Sequence, residues 1–490
     1  MSIPQLDSPA KAEAVVPGRT PAVIRLLVLA TFVVILNETI MINAIPPLME
    51  ALHITEQTAQ WLSTAFMLTM AAVIPITGWF LQRVSTRHAY ATAMGLFLLG
   101  TAAAMVAPSF EVLLGARIIQ ASGTAVMMPL LMTTLMQVVP EGDRGRVMGN
   151  LSLAISVAPA MGPAVSGLIL QFGSWRLLFA VVLPIAALIT WGGLRQLKNV
   201  GEPKPGTIDW LSVVTAAAGF GGLVYGLSRF EGGDLRVAAA IVAAGLAAIA
   251  IFVFRQLWLQ KHGVPLMDLR TLRHRTYTVS LILMSVAFMA MLGSMILLPL
   301  YLQNVRGLSA LETGLLVMPG GLAMGLLGPT VGRLFDRFGG RVLVIPGAIG
   351  ITLALTGFTQ VTMTMPYWQL LALHALLMIC LAVTFTPVFT LALGAVPAHL
   401  YSHGSSILST LQQVAAAFGT ALVITVMSAR ADAAKSAGAT DMLALLDGMR
   451  LAFIIGAVLS VVVVVTALLL PARAHSSSGE PEEAGHMSPA

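Results

Sequence analysis

Apolar residues run through this chain in long blocks separated by short polar turns. Each block is about 20 residues, which suits a helix crossing a hydrocarbon core of ~30 Å. The period-2 alternation of a membrane barrel is missing. Fourteen blocks emerge, at 23–45, 58–80, 88–107, 112–136, 145–169, 175–195, 209–228, 237–256, 276–300, 312–332, 342–361, 368–392, 404–428 and 448–471. The pattern predicts an all-α integral membrane protein with both ends on one side. Polar tails flank the spans at 1–22 and 472–490. The first has no apolar core and does not read as a signal peptide. The second, HSSSGEPEEAGHMSPA at its end, has a disordered composition.

Composition agrees. Of 490 residues, 57% are hydrophobic and 10% charged, with a mean hydropathy of +0.88, whereas soluble domains carry about 25% charged residues. The net charge of +6 invites a nucleic-acid partner. That reading fails because the basic residues fall in the turns. With the N-terminus inside, 19 Lys and Arg lie on inner segments and 7 on outer ones, and Arg117 alone stands within a span. Both termini are therefore expected in the cytoplasm. One cysteine, Cys380, excludes an internal disulfide and a multi-cysteine metal site. None of the five lysines (Lys11, Lys198, Lys204, Lys261, Lys435) follows a glycine, so a phosphate-binding loop is excluded. Any work must draw on another energy source or run downhill. A spanning His-Glu-x-x-His or a nucleophile–base cluster is missing too, so no catalytic residue, metal or cofactor is expected.

Two basic turns repeat. GWFLQRVSTR (Gly78–Arg87) and GRLFDRFGGR (Gly332–Arg341) share a leading glycine and arginines five and nine places on, which are Arg83 and Arg87, then Arg337 and Arg341. Glycine lets helix ends approach. Asp336, inside the second copy, can pair with an arginine or cap a helix start. Ordinary basic turns would give the same pattern; a duplicated helix bundle gives it a purpose. The copies lie 254 positions apart, more than six spans need. The division that follows is a bundle at 23–200, two inserted helices within 201–260 and a second bundle at 261–471.

Six stretches in order carry a resemblance over about 23–471: LNETIMINAIPP, the two basic turns, RIIQASGTA (Arg117–Ala125), APAMGPAVSG (Ala158–Gly167), SWRLLFAVVLPI and LPLYLQNVRGLSALETGLLVMPGG. The chain resembles the major facilitator superfamily, in its fourteen-span drug:proton antiporter branch. The resemblance implies two six-helix bundles rocking around a midplane site, with the first and fourth spans lining the cavity. It implies export of amphipathic or cationic compounds, by a monomer in the cell membrane whose partners are small molecules, protons and lipid; Glu38 and the missing nucleotide loop point to the proton gradient as the drive. Export of one metabolite, lipid or siderophore, or passive uniport, stays open. The sequence departs from the family pattern at three places: Asn37 stands where the family has Asp, Gln82 where the first basic turn has Asp, and Ser122 where the fourth span has Gly.

Several residues are candidates for chemistry. Glu38 is a carboxyl inside an apolar block, and an intramembrane ionisable group is functional by default. It lies about eight residues, or ~12 Å, from the expected outer end of its span, and Arg117 about five residues, or ~8 Å, from its own. Similar depth permits a charge pair. Arg117, Gln120 and Thr124 form one polar stripe, with Asn37 adding hydrogen bonds; an arginine snorkelling outward is the plainer alternative. Gly162, Pro163 and Gly167, with Pro159, are expected to break the fifth span, as a switch or as simple packing. Met284, Phe288, Met291 and Met295 share one face of the ninth span, suited to varied apolar ligands or to plain packing. His374 is a core histidine or a proton carrier. Gln412 and Gln413 are expected to bond between helices.

Overall fold

The computed structural model describes residues 21–41, 44–197, 199–200, 206–230 and 234–471. Apart from Pro21 and Ala22, the expected tails lie outside that set. All regular structure among the described residues is helical: α1 (Ala22–Ile40), α2 (Ile45–Leu52), α3 (Glu56–Arg83), α4 (Thr86–Met105), α5 (Phe110–Val138), α6 (Arg144–Leu170), α7 (Arg176–Gln196), α8 (Trp210–Ala216), α9 (Gly222–Ser228), α10 (Leu235–His262), α11 (Arg275–Leu300), α12 (Ala310–Phe338), α13 (Gly340–Phe358), α14 (Tyr367–Gly394), α15 (Tyr401–Ser436) and α16 (Asp441–Leu468).

Thirteen described stretches are long and apolar enough to cross a membrane. One of them joins α8 and α9 through a π turn at Ala217–Gly221. The remaining expected span is α6, which has 27 residues but is not among the thirteen. The first span is shorter than its apolar block predicts. It stops at Ile40, and a separate short helix begins at Ile45. Pro46 falls in the first turn of that helix, where a missing N–H is harmless. Conversely, α15 continues to Ser436, beyond the expected end at 428.

Helices α1 and α3–α7 pack on one another, and so do α11–α16. Two seams join the sets. At one, α3 lies on α15 with α5 behind it; at the other, α12 lies on α6 with α14 behind it. The inserted helices break this symmetry. α9 lies against both α3 and α15, and α10 packs on α8 and α9.

The inserted pair is tied down at its basic end. Asp209 caps α8 through Ser212 N (3.2 Å) and accepts two bonds from Arg255 of α10, each 3.0 Å. The bonds from Arg255 hold its carboxyl down at about 2. With the ordinary value near ~3.9, that contribution is complete above the ordinary value and is lost only as pH falls toward 2. Buried Gln256 donates to Ser212 Oγ (2.7 Å) and accepts from Leu266 N (2.8 Å) and Met267 N (3.1 Å), fixing the segment that leads to α11. On the other flank, Thr86 exchanges hydrogen bonds with Val200, and Asn199 accepts from Arg87 N.

The ends of α3, α5, α7, α10, α12 and α14 share one face with Arg83, Arg144 and Arg270, here called the basic face. By the positive-inside rule it is the face expected in the cytoplasm. With Cys380→Ser removing the native thiol, Ser436→Cys on the opposite face should react with an impermeant maleimide in intact cells. Gly142→Cys should react only after permeabilisation, and the reverse pattern would invert the topology.

Candidate functional site

Arg117 is buried to 2% exposure in the second turn of α5. A guanidinium keeps its charge, so in an apolar bundle it must gather acceptors. Its Nη1 donates to Gln120 Oε1 (2.5 Å) one turn along and, at 3.4 Å, to Asn37 Oδ1 of α1. Gln120 Nε2 then donates to Thr101 Oγ1 of α4 (2.8 Å), and Thr101 donates to Phe97 O (2.6 Å). The guanidinium lies over the Phe66 ring of α3, 4.2 Å from its centroid, a cation–π contact. One polar web thus joins α1, α3, α4 and α5. Its width depends on close packing: a Cβ at Gly100 would meet Ala116 O and Gln120 N, and one at Gly123 would strike Ala93 O. The snorkelling alternative is overturned, because Arg117 turns inward. Thr124 stays on the stripe but bonds only its own helix, at Gln120 O. Ser122 does the same at Ile118 O on an outer surface, so its replacement of glycine leaves the web untouched. Thr101 and Phe66 were hidden in the sequence, since nothing local marks a threonine or phenylalanine as an arginine's partner.

Glu38 is half-buried and follows Asn37 directly. It feels the Arg117 charge, yet no direct ion pair forms; Arg117 binds Asn37 instead. Glu38 also lies nearer a helix end than expected, in the last turn of α1. Asn37 Nδ2 and Arg117 Nε are buried without a hydrogen-bond partner. Beside Glu38, Thr39 packs on Gly162 of α6 so closely that a Cβ there would overlap the Thr39 side chain. α6 itself is one continuous helix through Pro159 and Pro163, so the expected break does not occur. Only the backbone of Pro163 is described. Gly167 also departs from expectation, because a Cβ there would meet nothing.

The two basic turns sit at the two seams. In the first copy, a Cβ at Gly78 would come within 3.0 Å of His403 Nδ1 and 3.2 Å of Ser406 Cβ on α15. Thr77 donates to Ser406 Oγ (3.3 Å), Ser406 donates to Ile74 O (2.6 Å), and Gln82 Nε2 donates to His399 O (3.0 Å). Arg83 lies over Trp79 and bonds Gln82 Oε1, while Arg87 is held through its backbone. In the second copy, Asp336 accepts from Gly145 N (2.8 Å) and Arg146 N (2.7 Å), the first amides of α6. A carboxylate from one helix set thereby caps a helix of the other, where free N–H groups and the helix dipole favour it. A Cβ at Gly332 would strike Gly145 O, and one at Gly149 would strike Gly328 O. Arg337 rests over Phe338, and Arg341 is half-buried; neither holds the seam. Among the described residues, every hydrogen bond between α1–α7 and α11–α16 lies within about three turns of the basic face.

The methionine face divides. Met284 and Met291 are core, Phe288 stacks obliquely on Phe385 at 5.6 Å, and Met295 is 41% exposed. His374 is buried against Gly320, with Nε2 unpartnered. Gln412 and Gln413 form no hydrogen bond with another described residue, against expectation.

Comparisons with known proteins bear on this arrangement. A family model described as Major Facilitator Superfamily matches residues 27–420. The lincomycin resistance protein LmrB of Listeria innocua is 38% identical over 456 residues, covering 91% of this chain and 96% of that one. The multidrug export protein EmrB of Haemophilus influenzae is 30% identical over 404 residues, covering 81% and 78%. Among solved structures, the human organic anion transporter MFSD10 aligns with a TM-score of 0.66 at 14% identity, over 92% of this chain and 100% of that one. The proton:xylose symporter XylE aligns at 0.62 and 14%, over 92% and 96%.

Two substitutions test the geometry. Gly162→Leu forces α6 off Thr39 at an overpacking cost of about 1–3 kcal/mol; transport should collapse while membrane insertion stays normal. Asp336→Asn turns one of the two accepting oxygens into an NH2 that faces a backbone N–H, a loss on the order of 1–2 kcal/mol, enough to shift the closed basic face about five- to thirtyfold. It should slow transport more than Gln82→Ala, which removes one neutral hydrogen bond. Equal rates for the two variants would remove the cap from the closing device.

Proposed function

The chain belongs to the major facilitator superfamily, a membrane transporter and not an enzyme, and from that premise we propose that it exports amphipathic or cationic small molecules in exchange for protons. Glu38 carries the proposal. It is a half-buried carboxyl on α1 that feels the charge of Arg117 without being neutralised by contact. The lincomycin-resistance and multidrug-export relatives support the choice of cargo. XylE, described as a proton:xylose symporter, shares only the fold.

The mechanism follows from the chain's own residues. Arg117 is a fixed charge held by Asn37 and Gln120, so the proton on Glu38 is the variable one. The basic face is closed by the Asp336 cap and the Ser406 bonds. If that face is cytoplasmic, this is an outward-facing arrangement, in which Glu38, near the opposite end of α1, takes a proton from outside. When the sets 23–200 and 261–471 rock, the seams part and Glu38 meets the cytoplasm. A cationic substrate arriving beside it favours the carboxylate and expels the proton. One carboxyl then serves two cargoes by exclusion. The gradient alone supplies the energy, so the proposal needs no cofactor, and a monomer with both termini in the cytoplasm suffices.

Inside-out vesicles with an imposed pH gradient test this reading against a panel of dyes and drugs. Wild type should accumulate several of them and lose that ability with a protonophore. Glu38→Gln should abolish gradient-driven uptake and ligand-induced proton release, while neutral ligands still bind. Glu38→Asp should keep part of the rate. Wild-type rates for Glu38→Gln in both assays would leave Glu38 a structural carboxyl. Uptake of one compound alone would narrow the cargo to a specific metabolite.

A further inference from the structure

His403 stands in the first turn of α15, at the basic end of the α3/α15 seam, and no step above uses it. It is 3% exposed. Its Nδ1 is turned across the seam, since a Cβ at Gly78 of α3 would come within 3.0 Å of it. This nitrogen is buried without a hydrogen-bond partner.

The charged groups around the imidazole come from both helix sets. Arg83 belongs to α3, on the far side of the seam. Asp268 and Arg270 belong to the segment that leads into α11, and His399 to the turn before α15, all on the near side. Next along, Tyr277 of α11 donates to Gly404 O (2.7 Å), and the Tyr401 hydroxyl accepts from Arg144 of α6 (3.4 Å). The titratable groups of α5, α9, α14 and α16 lie in the middle or the opposite half of those helices. Asp268 is 2% exposed and accepts from Arg270 N (2.9 Å), Nε (3.0 Å) and Nη2 (2.5 Å). Burial alone would push its carboxyl up, but the bonds from Arg270 hold it below the ordinary carboxylate value, so it remains an anion.

A proton on His403 is opposed while the seam is closed. It would put a charge into a dry contact, with the Arg83 and Arg270 guanidiniums in range and Asp268 already engaged by one of them. Rocking changes this twice over. α3 withdraws with Arg83, and water reaches Nδ1. Asp268 travels with α15, because its segment and α15 both pack on α11. The opposing charge leaves with one set and the supporting carboxylate stays with the other. A cavity of about 100 Å3, lined by Gln82, Thr133, Thr134, Gln137, His399 and Ser402, already reaches the residue before His403, with room for water.

We infer that His403 is a second proton site, filled only when the α3/α15 seam is parted, and that its proton holds the basic face open. A group that binds its proton more tightly in the open form favours that form as pH falls. With this face in the cytoplasm, cytoplasmic acid retains the transporter in the arrangement that admits no further proton from outside, so proton entry limits itself. The inference takes the rocking of the two sets from the proposed function and owes nothing to Glu38 or to the cargo.

Fluorophores at Gly142→Cys and Ala398→Cys, in a chain that also carries Cys380→Ser and Glu38→Gln, report the separation of the two sets in lipid nanodiscs. Glu38→Gln silences the outer carboxyl. The open-to-closed ratio should rise about tenfold or more from about pH 8 to pH 5, tenfold for each unit by which the open form holds its proton better. His403→Gln should flatten this rise, and His399→Gln should keep it. Asp268→Asn should move its onset to lower pH. Arg83→Gln should leave the onset in place and shrink the rise, because the closed form then takes the proton too. A histidine that only packs would give neither effect, so these two variants decide the matter if His403→Gln fails to insert. A flat response in the parent chain, an undiminished rise in His403→Gln, or an unmoved onset in Asp268→Asn with a full rise in Arg83→Gln would overturn the site. Wild-type vesicle uptake by Glu38→Gln would discard the exchange reading and leave this pH response standing.

Discussion

A guanidinium that cannot give up its proton organises the first helix set. Buried in hydrocarbon, Arg117 must be met by acceptors, and the nearest are neutral amides. Asn37 and Gln120 supply oxygens, Thr101 completes the chain, and Phe66 offers a ring face. Because amides do this work, the neighbouring carboxyl is left over. Had Glu38 itself paired with Arg117, both charges would be locked and neither could follow a proton. With Asn at position 37 the carboxyl nearest Arg117 on α1 stands one residue along, at Glu38, outside the arginine's hydrogen-bond contacts.

Much of this was legible in the residues. Block length gave the spans and their order, and the basic turns located both seams, because a glycine followed by arginines at helix ends reads as close approach anchored in water. The polar stripe of Arg117 and Gln120 followed from helical spacing alone. What the sequence hid was mostly non-local. Thr101 and Phe66 carry no label of their own. The shortened α1 was missed because the apolar block runs on past Ile40 to Ile45, and only the paired prolines after it hint at a new helix. Pro159 and Pro163 were overread, since a helix packed on both sides continues through residues that would break it alone. Gly167 was overread for a related reason: a glycine signals close approach only where a neighbour is present.

The repeat is exact in position but not in chemistry. In one copy a neutral amide, Gln82, reaches a carbonyl across the seam; in the other a carboxylate, Asp336, seats itself on helix amides. The second is the stronger bond because it is charge-assisted and meets a helix dipole. Among the described residues it is also the side-chain bond that ties α6 to α12 at the basic end, whereas the weaker bond stands where serine, threonine and the inserted helices share the load. The distribution of strength matches the distribution of need.

The glycine contact between α6 and α12 also bears on how freely this protein can drift. Every single replacement of Gly145, Gly149, Gly328 or Gly332 adds volume against a backbone that has nowhere to go. The hydroxyl-lined seam at α3 and α15 can exchange serine for threonine and re-form its bonds. Mutational robustness is thus unevenly spread: one flank is brittle, the other forgiving. Change can accumulate on the forgiving flank, while the brittle flank keeps its small residues or gives up its close contact.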